Sequence, residues 1–352
     1  MINLLFVFVL IFQLIFASTT LAGRGQNVVY WGQSTNVTRL STYCSPIAGV
    51  DMVILSFLST FGNGQTIASG NLGPSCYISS TGEPHGCEQL AQDIQTCQNK
   101  GIPILISLGG GIGSYSLQSE QEAELIGQNL WEAYGNTNGT GGVPRPFGTT
   151  FVNGWDFDIE NAIGRQFYPP LISMLRSYFE ADPNNTYYIT GAPQCVLPEP
   201  NMQEIIQGSI FDYLWVQFYN NPECSRPSLN YNFWVEFLKD TPSAGAKVFL
   251  GLPASPLAAN GLHTGSQYYW EPTALAPVIK MYQNNSAWGG VMLWDAGHSS
   301  TNINNHCTYA QQVQSIFKSG TPCLGWATVN TKRAKLLRTS GRRLFASKPI
   351  RV

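Results

Sequence analysis

Asn153-Gly154-Trp155-Asp156-Phe157-Asp158-Ile159-Glu160 alternates acidic and bulky apolar residues, and its reading decides how the rest of the chain is organised. Asp156, Asp158 and Glu160 fall at i, i+2 and i+4, with Trp155, Phe157 and Ile159 between them. Successive side chains of a strand point to opposite faces, so the three carboxyls share one face, about 6.6 Å apart. The other face is wholly apolar and asks for burial. Like charges this close raise one another's pKa, and burial pushes the same way. Such an arrangement costs stability, which points to a function. Three readings compete. A two-faced surface strand is the plainest. A divalent-metal site would suit hard oxygen ligands, but ligands along one strand spread apart rather than converge. A general-acid site fits better, with Glu160, last in the strand, donating a proton while Asp158 beside it holds charge.

At 352 residues the chain can bury one large core. Charged residues are only 11% and aromatics 12%, with Gly and Pro common, which describes a compact, loop-rich protein rather than a disordered one. Residues 1–22 read as a secretory signal: Leu4 to Phe16 is apolar apart from Gln13, and Thr20-Leu21-Ala22 offers small residues near a cleavage point. No lysine or arginine precedes that run, and the competing reading is a membrane anchor. Eight cysteines, at 44, 76, 87, 97, 195, 224, 307 and 323, argue for disulfides in an exported chain, and counting leaves the pairing open. No CxxC spacing suggests zinc. Sequons begin at Asn36, Asn138, Asn184 and Asn284, each in a polar, turn-like stretch suited to exposed glycans. The net charge of −2 is uneven, because Thr331 to Val352 carries eight Lys/Arg and no acid. That tail, 326–352, reads as a solvated, flexible end outside the fold, with binding to an anionic polymer or membrane as the alternative.

Apolar, β-rich runs recur at Val28–Trp31, Met52–Leu58, Ile102–Leu108, Val152–Ile159, Tyr187–Gly191, Tyr213–Phe218, Val248–Leu252 and Gly290–Trp294. Most are continuous rather than alternating, as parallel strands covered on both faces should be. Helical patterns lie between several of them. Ser119 with Glu122 reads as a capping box opening a helix through Tyr134, and Leu171, Met174, Leu175, Tyr178 and Phe179 form a 3.6-period stripe. Glu88 to Asn99 and Glu271 to Gln283 suit further helices. Strands alternating with helices predict a single α/β domain, a (β/α)₈ TIM barrel over 23–325 without an inserted α+β domain. The doubly wound open sheet is the competitor. No GxGxxG or GxxxxGK[ST] follows the first strand, so nucleotide binding lacks support. Gly109-Gly110-Gly111-Ile112-Gly113 lacks a phosphate loop's lysine and spacing, and suits a tight turn or close backbone approach to a ligand.

In such a barrel chemistry gathers at the C-terminal ends of the strands. Those ends supply Tyr30, Trp31, Phe57, the three acids, Gln194, Gln217, Tyr219, Asn220, Trp294 and Asp295. A mouth rich in aromatics and amides around carboxyls is what sugar binding requires, since rings cover apolar pyranose faces and amides pair with hydroxyls.

Together these residues resemble glycoside hydrolase family 18, in its hevamine-like class III chitinase branch of plants and fungi. The matching segments are Tyr30-Trp31-Gly32-Gln33, Phe61-Gly62-Asn63-Gly64-Gln65, Ser107-Leu108-Gly109-Gly110-Gly111, Asp156-Phe157-Asp158-Ile159-Glu160, Ala192-Pro193-Gln194-Cys195, Gln217-Phe218-Tyr219-Asn220-Asn221 and Gly289-Gly290-Val291-Met292-Leu293-Trp294. The resemblance covers about 27–314, in order. It implies a shallow open groove and a secreted, monomeric endo-chitinase acting on chitin or chito-oligosaccharides, with no cofactor, no metal, no nucleic-acid partner and no stable membrane insertion. It makes Glu160 the general acid, the substrate's own N-acetyl carbonyl the nucleophile, and an oxazolinium ion the intermediate, with retention. Asp158 would orient the acetamide nitrogen, Asp156 would set the shared proton, and Tyr219 would hydrogen-bond the acetamide oxygen. Trp294 would floor the sugar at the cleavage point and Gln217 would assist. Tyr30, Gln33, Phe57, Asn71, Gly110 and Asn220 would line the groove. The same resemblance implies disulfides Cys44–Cys97, Cys76–Cys87 and Cys195–Cys224, which leaves Cys307–Cys323.

Two departures stand out. Asn153 occupies a position where the family usually has Asp, for which we expect a tuned rather than lost activity. Trp155 stands where a smaller apolar residue is common, which implies a reshaped neighbouring core. Competing functions on the same barrel are a non-catalytic sugar-binding or inhibitor protein, whose relatives typically lose the acid, and cleavage of the N-glycan chitobiose core or of peptidoglycan, which uses the same N-acetyl group.

Overall fold

A computed structural model of the chain describes residues 25–140 and 142–324. The expected signal at 1–22 and the basic tail at 326–352 lie outside them.

All eight apolar runs are strands: β1 (Gln26–Trp31), β2 (Met52–Gly62), β6 (Ile104–Gly109), β8 (Gly154–Asp158), β9 (Tyr188–Gly191), β10 (Tyr213–Gln217), β11 (Lys247–Pro253) and β12 (Trp288–Trp294). They pair in parallel in the order β1-β12-β11-β10-β9-β8-β6-β2, and β2 pairs back onto β1, which closes the barrel. A closed sheet has no edge to protect. The doubly wound alternative is thereby excluded.

Four short strands went unread: β3 (Gln65–Asn71), β4 (Tyr77–Ile78), β5 (Pro84–His85) and β7 (Ser114–Ser116). β2 runs on past the barrel to Gly62, turns, and β3, β4 and β5 follow as an antiparallel extension, while β7 pairs with its far end. β3 is largely polar and the other three are only two or three residues long, so no apolar run marks them.

The helices are α1 (Leu40–Tyr43), α2 (Glu88–Gln98), α3 (Glu120–Tyr134), α4 (Tyr168–Ala181), α5 (Gln203–Gly208), α6 (Tyr231–Leu238), α7 (Pro272–Tyr282), α8 (Ala296–Thr301) and α9 (Tyr309–Ser319). The α3 cap is half as expected. Ser119 Oγ accepts from Glu122 N at 3.1 Å, but the Glu122 carboxylate turns to Gln118 N (2.7 Å) and Gly64 N (2.6 Å), tying the helix to the β2–β3 turn. A complete capping box sits instead at Thr308 and Gln311, opening α9, which was not anticipated.

Side chains divide into two layers. Val28, Tyr30, Met52, Ile54, Leu105, Trp215, Phe249 and Met292 fill the barrel, and the opposite strand faces form the larger core beneath the helices. The apolar face of β8 belongs to that outer layer. Trp155 is fully buried there, 5.6 Å from the Phe179 ring and 5.9 Å from that of Trp131, so the large residue is absorbed by α3 and α4. Disulfides join Cys44–Cys97, Cys76–Cys87, Cys195–Cys224 and Cys307–Cys323, as implied. The asparagines of all four sequons are exposed.

Candidate active site

β8 ends at Asp158, so Glu160 lies two residues beyond the strand rather than last in it. The reason is a hydrogen bond outside the sheet: Glu160 N donates to Tyr115 Oη at 2.9 Å, and that hydroxyl donates to Gly110 O at 3.1 Å. Tyr115 thus clips the strand's exit to the glycine loop after β6. That loop must come close. A Cβ on Gly109 would stand 2.2 Å from Asp158 O, and one on Gly111 would stand 3.1 Å from Glu160 Oε2. The glycines therefore serve backbone approach to the acids themselves.

The three carboxyls share the inward side but not one environment. Asp156 is fully buried and receives four hydrogen bonds: from Tyr30 Oη and Ser107 Oγ at 2.6 Å to Oδ2, and from Thr190 Oγ1 at 2.6 Å and Trp215 Nε1 at 2.8 Å to Oδ1. Burial pushes its pKa up and the four donors pull it back. Asp158, one layer higher, accepts from Gln217 Nε2 at 3.0 Å. Burial first, then the charges of Glu160 and Asp156, drive its pKa well above the ordinary value. Glu160 is partly buried, and burial raises its pKa too. Two carboxyls that both resist ionisation retain a proton between them at a pH where free carboxylates have lost theirs.

Tyr219 follows β10 and is buried beside them; burial, then Asp158 and Glu160, hold its hydroxyl protonated, so it is a donor. Gln217 is fixed by a second bond, to Ala192 O at 2.9 Å. Trp294 at the end of β12 stacks on Phe57 at 5.8 Å, and Tyr30 meets its edge at 5.5 Å. Asn220 takes a left-handed conformation (φ 63°) and donates to Ala259 O at 2.9 Å, tying the loops after β10 and β11 into one wall.

These residues surround an open cleft of about 850 Å³. Of the residues expected at the site, Asp158, Glu160, Gln217, Tyr219, Asn220, Trp294, Gln33, Phe57, Asn71 and Gly110 line it. Tyr30 and Asp156 do not. Tyr30 was expected to line the groove, but it is 1% exposed and lies beneath Phe57 and Trp294, its hydroxyl spent on Asp156. Asn153 sits at the opposite end of the strand, where its Oδ1 accepts from Ile104 N (3.0 Å) and Gln98 Nε2 (2.9 Å), bonds that a carboxylate could equally accept. Ser107, Thr190, Trp215, Tyr115 and His298 were missed. The first three sit at inward positions of their strands, where a polar or amphipathic residue in a barrel interior is itself a signal. Nothing local marks Tyr115.

A sequence model described as glycosyl hydrolases family 18 matches residues 26–299. The chain is 52% identical over 316 residues to Endochitinase 2 of Metarhizium robertsii, covering 86% of this chain and 75% of that one. Among solved structures it is similar to ICChI chitinase from Ipomoea carnea, with TM-score 0.66 and 32% identity over 82% of this chain and 99% of that one. It is also similar to the xylanase and alpha-amylase inhibitor protein XAIP-II from Scadoxus multiflorus, with TM-score 0.67 and 33% identity over 84% of this chain and 98% of that one.

Proposed function

The chain belongs to the glycosyl hydrolases of family 18 and is a glycosidase of the chitinase kind, and from that premise we propose that it cuts internal β-1,4 bonds of chitin with Glu160 as proton donor. The observation that carries this reading is the pairing of buried Asp158 with partly buried Glu160 at the floor of an open cleft, both carboxyls held toward the protonated form.

Glu160 gives its proton to the glycosidic oxygen as the bond from that oxygen to the anomeric carbon breaks. The carbonyl oxygen of the sugar's own acetamide attacks the same carbon, forming the oxazolinium ion, so no protein nucleophile is needed. With the pair's one proton on Glu160, Asp158 is the carboxylate that accepts from the acetamide N–H and offsets the positive charge that develops there. Tyr219, kept protonated, donates to the acetamide oxygen and aims it. Water then opens the ring, the Glu160 carboxylate takes its proton, and the anomeric configuration is retained. Trp294 offers its face to the sugar at the cleavage point, with Phe57 stacked behind it. Asp156, under four donors, fixes the geometry of this floor from below.

The similarity to XAIP-II favours a second reading, a non-catalytic binding or inhibitor protein. The presence of Glu160, Asp158 and Tyr219 together in the cleft argues against it. The reading extends to export directed by residues 1–22, to glycans at the exposed Asn36, Asn138, Asn184 and Asn284, to a monomeric catalytic domain and to a basic tail at 326–352; four disulfides support the extracellular setting.

Chitohexaose hydrolysis by purified wild type and Glu160→Gln tests the reaction. The variant should lose roughly 10²- to 10⁴-fold in kcat, while mass analysis of wild-type products should show internal cuts. A variant that turns over at the wild-type rate would overturn the mechanism, and a wild type that does not turn over at all would favour the binding protein.

A further inference from the structure

The antiparallel extension carries a feature that the cleft chemistry leaves unused. Asn71 ends β3 and lines the cleft. Its partner across β4 is Tyr77, and the partner of Tyr77 across β5 is His85. Directly paired residues of antiparallel strands project from the same face, and neighbouring strands lie about 4.8 Å apart. The side chains of Asn71, Tyr77 and His85 therefore form a row that leads outward from the cleft wall. Tyr77 is 45% exposed, whereas Ile78 beside it is 1% exposed on the other face, so the register itself turns the tyrosine outward. The rings of Tyr77 and His85 stack at 5.8 Å with an interplanar angle of 28°. The result is a broad aromatic surface facing solvent.

That surface is held rigidly. The Cys76–Cys87 disulfide brackets both short strands, with Cα atoms 4.4 Å apart. Leu72 N donates to Cys76 O at 2.8 Å, and Ser79 N donates to Glu83 O at 3.0 Å across the turn. A preordered platform loses little freedom when it binds, and an aromatic face with a hydroxyl at its rim suits a pyranose, apolar on its faces and polar at its edge.

We propose that Tyr77 and His85 form an outer sugar subsite, which takes a further N-acetylglucosamine unit of a chain whose scissile bond lies at Glu160. The assignment rests on the chitinase reading and makes the enzyme selective for longer chains. The measurement is kcat/KM on chitohexaose divided by kcat/KM on chitotriose, for wild type, Tyr77→Ala and Tyr77→Trp. Tyr77→Ala should lower the ratio roughly two- to tenfold, the worth of one aromatic contact, and Tyr77→Trp should restore it. A ratio unchanged in Tyr77→Ala overturns the subsite, because a hairpin that merely supports Asn71 would slow both substrates alike. If wild type cleaves neither oligomer, the chitinase reading has failed. Chitohexaose binding by calorimetry then decides the subsite alone: two- to tenfold weaker binding to Tyr77→Ala upholds it, and equal binding overturns it.

Discussion

Asp158 is buried beside two other carboxyls, with a single amide donor among its side-chain partners. Its pKa in the folded protein is raised well above the ordinary value. Between the unfolded and folded values the native state binds more protons than the unfolded one, so stability falls as pH rises. The penalty is absent below the unfolded pKa, near 4, and grows as pH climbs toward the folded one. Asp158→Asn keeps the oxygen that accepts from Gln217 and removes the ionisation. Its melting temperature relative to wild type should therefore increase as pH climbs above 4 and level off once the folded pKa is passed, and a constant difference would contradict the burial argument. The same raised values bear on catalysis. Glu160 works as an acid only while protonated, so kcat/KM should fall on the alkaline side at a pH above an ordinary glutamate's pKa, about 4.3. Because Asp158 and Glu160 interact, that limb belongs to the pair, and a kcat/KM profile measured with chitohexaose reads it in the free enzyme.

At the scale of single elements, the glycine loop after β6 and the α3 cap give separate tests. Gly109 has φ 107°, and a Cβ there would meet Asp158 O at 2.2 Å. Gly109→Ala should cost about 2–4 kcal/mol, seen as a lower urea midpoint, with activity falling as the loop and the acidic strand separate. Ser119→Ala removes one side-chain cap at the start of α3 and should cost about 1 kcal/mol without altering turnover. An activity loss there would show that α3 reaches the cleft, through the Glu122 tie to the β2–β3 turn. The eight barrel strands were legible because a parallel strand buried on both faces is a continuous apolar run. β3, β4, β5 and β7 were not, since short or polar strands depend on the neighbour they pair with. The tie from Glu122 was likewise illegible: Ser119 with Glu122 spells a capping box, yet the carboxylate found the backbone of Gly64, 58 residues away.

Across the whole molecule, the end of the described chain is tied back to its beginning. Asn27 Nδ2 on β1 donates to Ala310 O at 2.9 Å, and Gln311 Nε2 donates to Ile47 O at 2.8 Å, so α9 seals the seam where β1 closes the barrel. Cys307–Cys323 staples that helix with a sequence separation of 16. A loop of this size restricts the unfolded chain by about 3 kcal/mol. The Cys307→Ser, Cys323→Ser double variant should lose up to that amount in denaturant unfolding, and an unchanged midpoint would show that α9 docks without its staple. By itself the sequence determined the barrel and the acidic strand, because both are written as local periodicity: apolar runs for covered strands, and period two for Asp156, Asp158 and Glu160. Only the tertiary structure decided what each acid is for. The partners of Asp156 come from 126, 49, 34 and 59 residues away, on four other strands, and they sink it beneath the cleft. Closing the sheet brings those strands together, and a hydrogen bond across a closed barrel leaves no mark on the spacing of residues along the chain.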